Sequence, residues 1–333
     1  MILLDSLYIN NSGGKVLLNY LVEEFEKSKL NVFYLFDERC KNDFKDIPVE
    51  RRIYIKASLI NRLKFYKKNR RSFEKIFCFA NIAPPIKIKE AKVFTYFHNV
   101  SLLEQPEKYS FKEKTIKQLK KYLIKYLSRN TDFFVVQTLS VQNLVLRKLD
   151  IKKSKILIHP FYKEAKFESN KSKDEQTFVY ISNGNKHKNH LTLFKAWEKL
   201  AELDKFPMLN VTITDNFKYL IEEINRLKKK GINIRNHGFC DPEDLYRNSK
   251  FLIYPSLMES FGLGLIESCQ ANCYIIAADL PYVHDVVIPT KVFDPYNSNS
   301  IVDSINEIFK NKNLKESKLK ISNEIDKIIK LLK

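Results

Sequence analysis

A chain of 333 residues with 44% hydrophobic and 13% aromatic side chains can fill two domain cores, which excludes a disordered or fibrous protein. Lys and Arg number 58 against 39 Asp and Glu, a net charge of +19, so the surface attracts an anionic partner: nucleic acid, a membrane face or a phosphorylated small molecule. Glycine numbers only 7, about a third of ordinary usage, so each one carries more information than usual.

The first ten residues hold Asp5 and no basic residue ahead of the apolar stretch, so no signal peptide is expected there. No run approaches the ~18 apolar residues of a membrane span. Strands are predicted at residues 2–4, 32–36, 76–79, 93–97, 133–136 and 156–158, then at 178–181, 211–214, 232–234, 251–254, 274–277 and 292–293. Several are unbroken apolar runs, as strands covered on both faces require. Segments of helical period lie between them, among them 16–27, 115–128, 191–203, 219–229 and 263–270, with Gly231 closing one of them. The series appears twice, which predicts two doubly wound α/β domains. Residues 159–173 read as the linker, and 300–333 as a polar helical tail. The domains are expected at 1–160 and 161–310, with the tail at 311–333. Ligands of such sheets bind at the carboxyl ends of the strands, here in the cleft between the two domains.

Cys40, Cys78, Cys240, Cys269 and Cys273 lack CxxC spacing and read as reduced thiols, so a cytoplasmic protein is expected. No zinc spacing, metal-ligand cluster or Asp-x-Asp is present, and G-x-S-x-G and the P-loop pattern are missing too.

The most informative stretch runs from Tyr254 to Glu267, YPSLMESFGLGLIE. A strand ends in a loop carrying Glu259, and Gly262 and Gly264 open a helix that carries Glu267. Glycine weakens a helix unless the backbone must come close to something, so the pair suggests amides presented to an anion such as phosphate. The carboxylates on either side suit the hydroxyls at the two ends of a nucleotide-sugar. A helix cap at Glu259 and a solvated face at Glu267 are the other reading.

Glu259-x7-Glu267 with Ser-Phe-Gly-Leu between them resembles the signature of family 4 retaining glycosyltransferases of the GT-B fold. The resemblance runs on through residues 274–285 and back through Gly238, Pro255 and Ser256. It implies two Rossmann-like domains facing across a cleft, with Glu259 on the transferred sugar and Glu267 on the ribose. Amides of Phe261, Gly262, Leu263 and Gly264 would hold the sugar or its phosphate. It further implies retention of configuration with no metal or other cofactor, the nucleotide-sugar (UDP, GDP or dTDP) being the co-substrate.

At the end of the second half's first strand, residues 180–190 read YISNGNKHKNH. A Gly-containing turn with Lys186, Lys188, His187 and His190 would surround a diphosphate with donors, or it is a basic surface turn. In the family a Gly-Arg turn precedes a lysine, and both cations face the diphosphate. Lys188 matches that lysine, whereas Asn183 stands where the arginine is usual, leaving Lys186, Asn185 or His187 to replace it beside Gly184. In the first half, Gly13 and Gly14 lie in the turn after the first strand, by themselves a tight turn or a phosphate site. His98 ends the strand at 93–97, where a lone histidine is usually structural. The family presents such a Gly-rich loop to donor diphosphate and acceptor, and a histidine after this strand to the donor sugar. The resemblance thus makes Glu259, Lys188 and His98 the catalytic candidates. His159, His237 and His284 read as structural.

The charge is lopsided: residues 1–170 hold 34 Lys and Arg against 18 Asp and Glu, and residues 171–333 hold 24 against 21. Residues 110–129 carry Lys112, Lys114, Lys117, Lys120, Lys121, Lys125 and Arg129 with the single acid Glu113, while Ile116, Leu119, Leu123 and Tyr126 recur at helical spacing. The apolar row is expected on the sheet and the cationic side on anionic lipid, and residues 62–71 add aromatics among cations. The expected protein is a transferase on the inner face of the cell membrane, acting on a lipid-linked glycan of a bacterial surface polysaccharide, O-antigen or capsule. Other readings are a GT-B phosphorylase or epimerase without a glycan acceptor, or a basic nucleic-acid binder, although no nucleic-acid motif accompanies the lysines and no nucleic-acid partner is expected.

Overall fold

The computed structural model describes residues 1–104, 111–165, 167 and 173–333, with the backbone alone for 111–114. It divides into two units, Met1–Lys163 with Ser322–Lys333, and Glu164–Ile321.

The first unit runs β1 (Ile2–Asp5), α1 (Ser12–Lys27), β2 (Val32–Asp37), β3 (Arg52–Ile55), α2 (Leu59–Lys68), β4 (Lys75–Cys78), β5 (Lys92–Phe97), α3 (Phe111–Leu127), β6 (Phe133–Val136), α4 (Leu139–Leu149) and β7 (Ile156–Ile158). Its seven strands lie in the order β3-β2-β1-β4-β5-β6-β7, all parallel. The inner strands are apolar on both faces, with Leu3, Leu35, Phe77, Val93 and Val135 all fully buried. β3 has no such run: it is an edge strand whose Ile53 is exposed, and it was not expected. α2 falls on the segment expected to display aromatics among cations. Ser58 caps it by accepting the Asn61 N–H at 3.1 Å, and Arg62, Phe65 and Tyr66 face inward.

Arg62 is the anchor of this unit. Its Nε donates to Asp5 Oδ2 at 2.8 Å, and its remaining nitrogens donate to the carbonyls of Ala83 at 2.7 Å and Ile82 at 2.9 Å. Tyr66 donates its hydroxyl to the same Asp5 oxygen at 2.7 Å. Both charged side chains are fully buried, so each is the other's compensating charge away from water. Burial beside them pushes the Cys78 thiol up to about 12.

The second unit runs β8 (Asp174–Tyr180), α5 (His190–Glu202), β9 (Met208–Val211), α6 (Lys218–Lys229), β10 (Ile234–Asn236), α7 (Pro242–Asn248), β11 (Ser249–Tyr254), α8 (Leu263–Gln270), β12 (Tyr274–Ala278), α9 (Pro281–Val286), β13 (Val287–Ile288), β14 (Lys291–Phe293), α10 (Ser298–Lys310) and β15 (Lys318–Leu319). Six strands form a parallel sheet, β10-β9-β8-β11-β12-β14, and β13 pairs antiparallel with β15. β9 begins earlier than expected because Asn210, which reads as a break, is buried and accepts from His237 Nε2 at 2.8 Å. Gly231 closes α6 as expected, at φ +77°.

The chain end corrects the expected separate tail. Residues 311–321 stay with the second unit, and α11 (Ile325–Leu332) joins the first. There Glu324 Oε2 meets His159 Nδ1 at 2.8 Å and Asn323 donates to the Tyr20 hydroxyl at 2.7 Å. The units divide at residue 163, within the expected linker, of which residues 166 and 168–172 lie outside the described residues. Among the described residues no helix is long and apolar enough to cross a membrane, and all five cysteines are free.

Removing Arg62 strands the Asp5 carboxylate in the core, so Arg62→Ala is expected to lower the unfolding free energy by about 3–5 kcal/mol. Urea denaturation monitored by circular dichroism measures this. A loss below about 1 kcal/mol would remove Arg62 from its role as anchor.

Candidate functional site

Two turns of the second unit build one polar cluster. The first follows β8. Asn183 Oδ1 accepts the Asn185 N–H at 3.2 Å, so the residue expected near the usual arginine position serves its own turn. Gly184 is buried, and a Cβ there would lie 2.4 Å from the Phe217 ring, so the sequence needs glycine for packing against the approach to α6. Asn189, at φ +62°, donates to the carbonyls of Pro255 at 3.2 Å and Pro295 at 2.7 Å, locking the turn that carries Lys188.

The second turn follows β11. Its Leu257 N–H and the Ser256 hydroxyl both donate to the His187 carbonyl, at 2.7 and 3.3 Å, which ties the two turns together. Tyr282 donates to the Ser256 carbonyl at 2.6 Å from the other side. Across this joint Lys188 Nζ lies 2.5 Å from Glu259 Oε1, with only 15% and 13% of their side chains exposed. Glu259 is therefore an ion-pair partner rather than a helix cap. α8 has Gly262 at its N-cap, at φ +75°, with no side-chain cap bond. Gly264 lets two tyrosines close on the helix start: a Cβ would meet Tyr246 Oη and Tyr254 Cε2, each at 3.1 Å. The leading amides of α8, at Leu263 and Gly264, have no partner available within the helix, and Phe261 is buried behind them.

One turn further on, Glu267 accepts the Tyr246 hydroxyl at 3.1 Å, and burial raises its carboxyl above the usual range. It is not on a solvated face. Burial with Glu259 nearby holds the phenols of Tyr180, Tyr254 and Tyr282 well above their ordinary value, so they stay neutral donors around the cluster. These tyrosines and Tyr246 were not expected at the site. The available signal is that Tyr180 and Tyr254 each end a strand directly after its apolar stretch, Phe178–Val179 in one and Phe251–Ile253 in the other. Lys186 and Asn185 are exposed, whereas His190 is 3% exposed and packs at 5.0 Å on Tyr180, which removes it as a diphosphate donor.

In the first unit, His98 donates its backbone N–H to Asn81 Oδ1 at 2.6 Å, and its Nε2 lies 2.9 Å from the Phe79 carbonyl. That carbonyl requires the proton on Nε2, which leaves Nδ1 as the acceptor of the neutral ring. The ring stacks on Phe79 at 4.9 Å, and a Cβ on Gly14 would touch its Cε1 at 3.1 Å. Gly13 and Gly14 lie in the first turn of α1 rather than in a loop before it, and it is Gly14 that the fold brings to His98. Asn81, buried at φ +66°, has no signal in the sequence. His159, His237 and His284 each have a hydrogen-bonding side-chain partner: Glu324, Asn210 and Asp279.

Each unit thus gathers its polar groups at the carboxyl ends of a parallel sheet, and the pair of α/β units is the GT-B fold. Residues 161–326 match the family described as glycosyl transferases group 1. The chain is 25% identical over 182 residues to the capsular polysaccharide biosynthesis glycosyltransferase CapH of Staphylococcus aureus, covering 53% of this chain and 50% of that one. It is 23% identical over 171 residues to the O-antigen chain mannosyltransferase RfbU of Salmonella typhimurium, covering 50% and 48%. It therefore spans about half the length of these curated relatives. Among solved structures, sucrose-phosphate synthase from Thermosynechococcus elongatus superposes with a TM-score of 0.75 at 17% identity, over 93% of this chain and 90% of that one.

Burial depresses His98 to about 4 and His190 to about 3, the latter helped by Lys188 and His187. Unfolding lets both rings take protons at about 6.5, so between that pH and the folded values the unfolded state binds more protons. Stability from these rings is complete above pH 6.5 and falls as the pH drops towards 4, by roughly 3 kcal/mol for His98. Urea denaturation at several pH values should show this slope, flattened in His98→Gln and in His190→Gln. The same slope in a variant lacking both rings would refute the assignment.

Proposed function

We propose that this chain is a family 4 retaining glycosyltransferase that moves a sugar from a UDP-, GDP- or dTDP-sugar to a hydroxyl of a lipid-linked glycan, in assembly of a bacterial surface polysaccharide at the inner face of the cell membrane. The observation that supports this most is the Lys188–Glu259 pair beside the open start of α8, with Glu267 one turn further on. A cation and a carboxylate on rigid turns, helix-start amides and a second carboxylate on the helix fit a diphosphate flanked by hydroxyl-bearing groups. The match of residues 161–326 and the two polysaccharide relatives point the same way.

In this reading the donor diphosphate takes over Lys188 Nζ, and Glu259 is released to accept hydrogen bonds from the sugar. Glu267 accepts from the ribose, and His98, neutral at physiological pH, is the first unit's group for orienting the sugar, with Gly13 and Gly14 for the diphosphate. The acceptor oxygen bonds to the anomeric carbon on the face from which the diphosphate departs. The bond from that carbon to the phosphate oxygen breaks with its electron pair on the oxygen, which then takes the acceptor's proton. Configuration is retained. Negative charge grows on the diphosphate, where Lys188 and the amides of Leu263 and Gly264 stabilise it, so the step asks for no metal.

A thermal-shift screen of UDP-, GDP-, dTDP- and ADP-sugars is expected to give one clear stabiliser. With that donor, Lys188→Ala and Glu259→Ala should each lower kcat by about 10²–10³ while the protein still folds, with a cooperative melting curve without ligand. Near-wild-type turnover in either variant would sink its role. Consumption of the donor at the full rate without any glycan would indicate a sugar-nucleotide enzyme of another kind.

A further inference from the structure

The apolar row of α3 was expected to pack on the sheet. Instead Ile116, Leu119, Tyr122 and Tyr126 are 46%, 70%, 61% and 59% exposed, and among the described side chains of the helix only Ile124 and Leu127 are buried. With about 3.6 residues per turn, Ile116, Leu119, Tyr122, Leu123 and Tyr126 fall within an arc of roughly 120° that, over residues 115–127, carries no charged residue. Exposed Lys120 borders that arc on one side and exposed Lys125 on the other. Arg129, in the turn after the helix, lies over the Tyr126 ring at 3.5 Å. No acid occurs in the sequence between Glu113 and Asp132.

We propose that α3 docks the chain on an anionic lipid bilayer, with Leu119, Tyr122 and Tyr126 entering the headgroup region and Lys120, Lys125 and Arg129 meeting lipid phosphates. This deepens the lipid-linked acceptor reading above and rests on it only for the choice of membrane. Tyrosines with an apolar ring and a polar tip suit a bilayer interface, and flanking cations suit its negative surface potential. A second copy of the chain fits poorly, because pairing two such faces brings like charges together. Nucleic acid would take the cations and leave the apolar arc in water.

The test is co-sedimentation of the full chain with vesicles of phosphatidylcholine alone or with about 30% phosphatidylglycerol. Wild type should bind the anionic vesicles at least about tenfold more tightly than the neutral ones, and salt should weaken this binding. Leu119→Ser with Tyr122→Ser should lose about tenfold in affinity, and Lys120→Glu with Lys125→Glu should abolish the anionic preference. The native tryptophan, Trp197, is buried in the second unit, so a vesicle-induced blue shift in Tyr122→Trp reports insertion of this helix. Unchanged binding in both double variants, no blue shift, or a dimer without lipid that Leu119→Ser with Tyr122→Ser dissolves would each overturn the proposal. Donor thermal shifts on the same proteins separate the two readings: a variant that loses vesicles but keeps its donor shift has lost docking alone, and vesicle binding with no donor shift defeats only the transferase reading.

Discussion

A parallel strand covered on both faces admits a polar side chain only where it meets a partner of its own, as Asn210 meets His237, so most polar groups collect where the strands end. That constraint arranges both units. Leu252 and Ile253 of β11 are fully buried, and the chain turns polar only past Tyr254, where Ser256 and then Glu259 follow. The same happens past Tyr180 of β8 and Phe97 of β5, giving Lys188 in one unit and His98 in the other. Polar groups collected at one sheet edge are partly desolvated by the core beneath them. Charges and hydrogen bonds there are stronger than in water, and errors in pairing cost more.

The joint at the His187 carbonyl follows from this. Two turns after non-adjacent stretches of chain must hold a cation and a carboxylate in register, and a long lysine side chain could not be fixed by its own loop alone. Asn189 and His187 fix its backbone to the Pro255–Ser256 stretch, so Lys188 and Glu259 inherit the rigidity of β8 and β11, which pair directly. The surrounding tyrosines stay protonated, so they give hydrogen bonds without adding charge. A site held in this way loses little order when a ligand replaces one ion-pair partner by another.

The legible part of the fold was the part written locally. Apolar runs gave the inner strands, and the sequence from Tyr254 to Glu267 carried its strand, loop, αL glycine and helix in one stretch. What escaped depends on distant partners. Gly184 reads as open backbone until Phe217 is seen against it. Arg62 reads as a surface cation until Asp5, Tyr66 and the carbonyls of Ile82 and Ala83 surround it. Asn81, which aligns His98, and Tyr246, which holds Glu267, lie in stretches with no motif. β3 lacked a continuous run because an edge strand does not need one, and nothing in the composition of residues 322–333 tells that they return to the first unit.

The same distinction explains the helix that went the other way. Period alone says that α3 has an apolar face, and the ordinary use of such a face is a core. Only packing decides, and here Ile124 and Leu127 satisfy the inward side while a second apolar arc stays in water. Large exposed apolar side chains on a helix with this density of cations cost solubility unless something covers them. The excess charge of the first 170 residues gives that something its sign. A net charge of +19 that admitted any anionic partner thus resolves into two features with different physics. One is a single lysine paired at 2.5 Å inside a built cluster, and the other is a row of solvated cations beside tyrosine and leucine on one exposed helix.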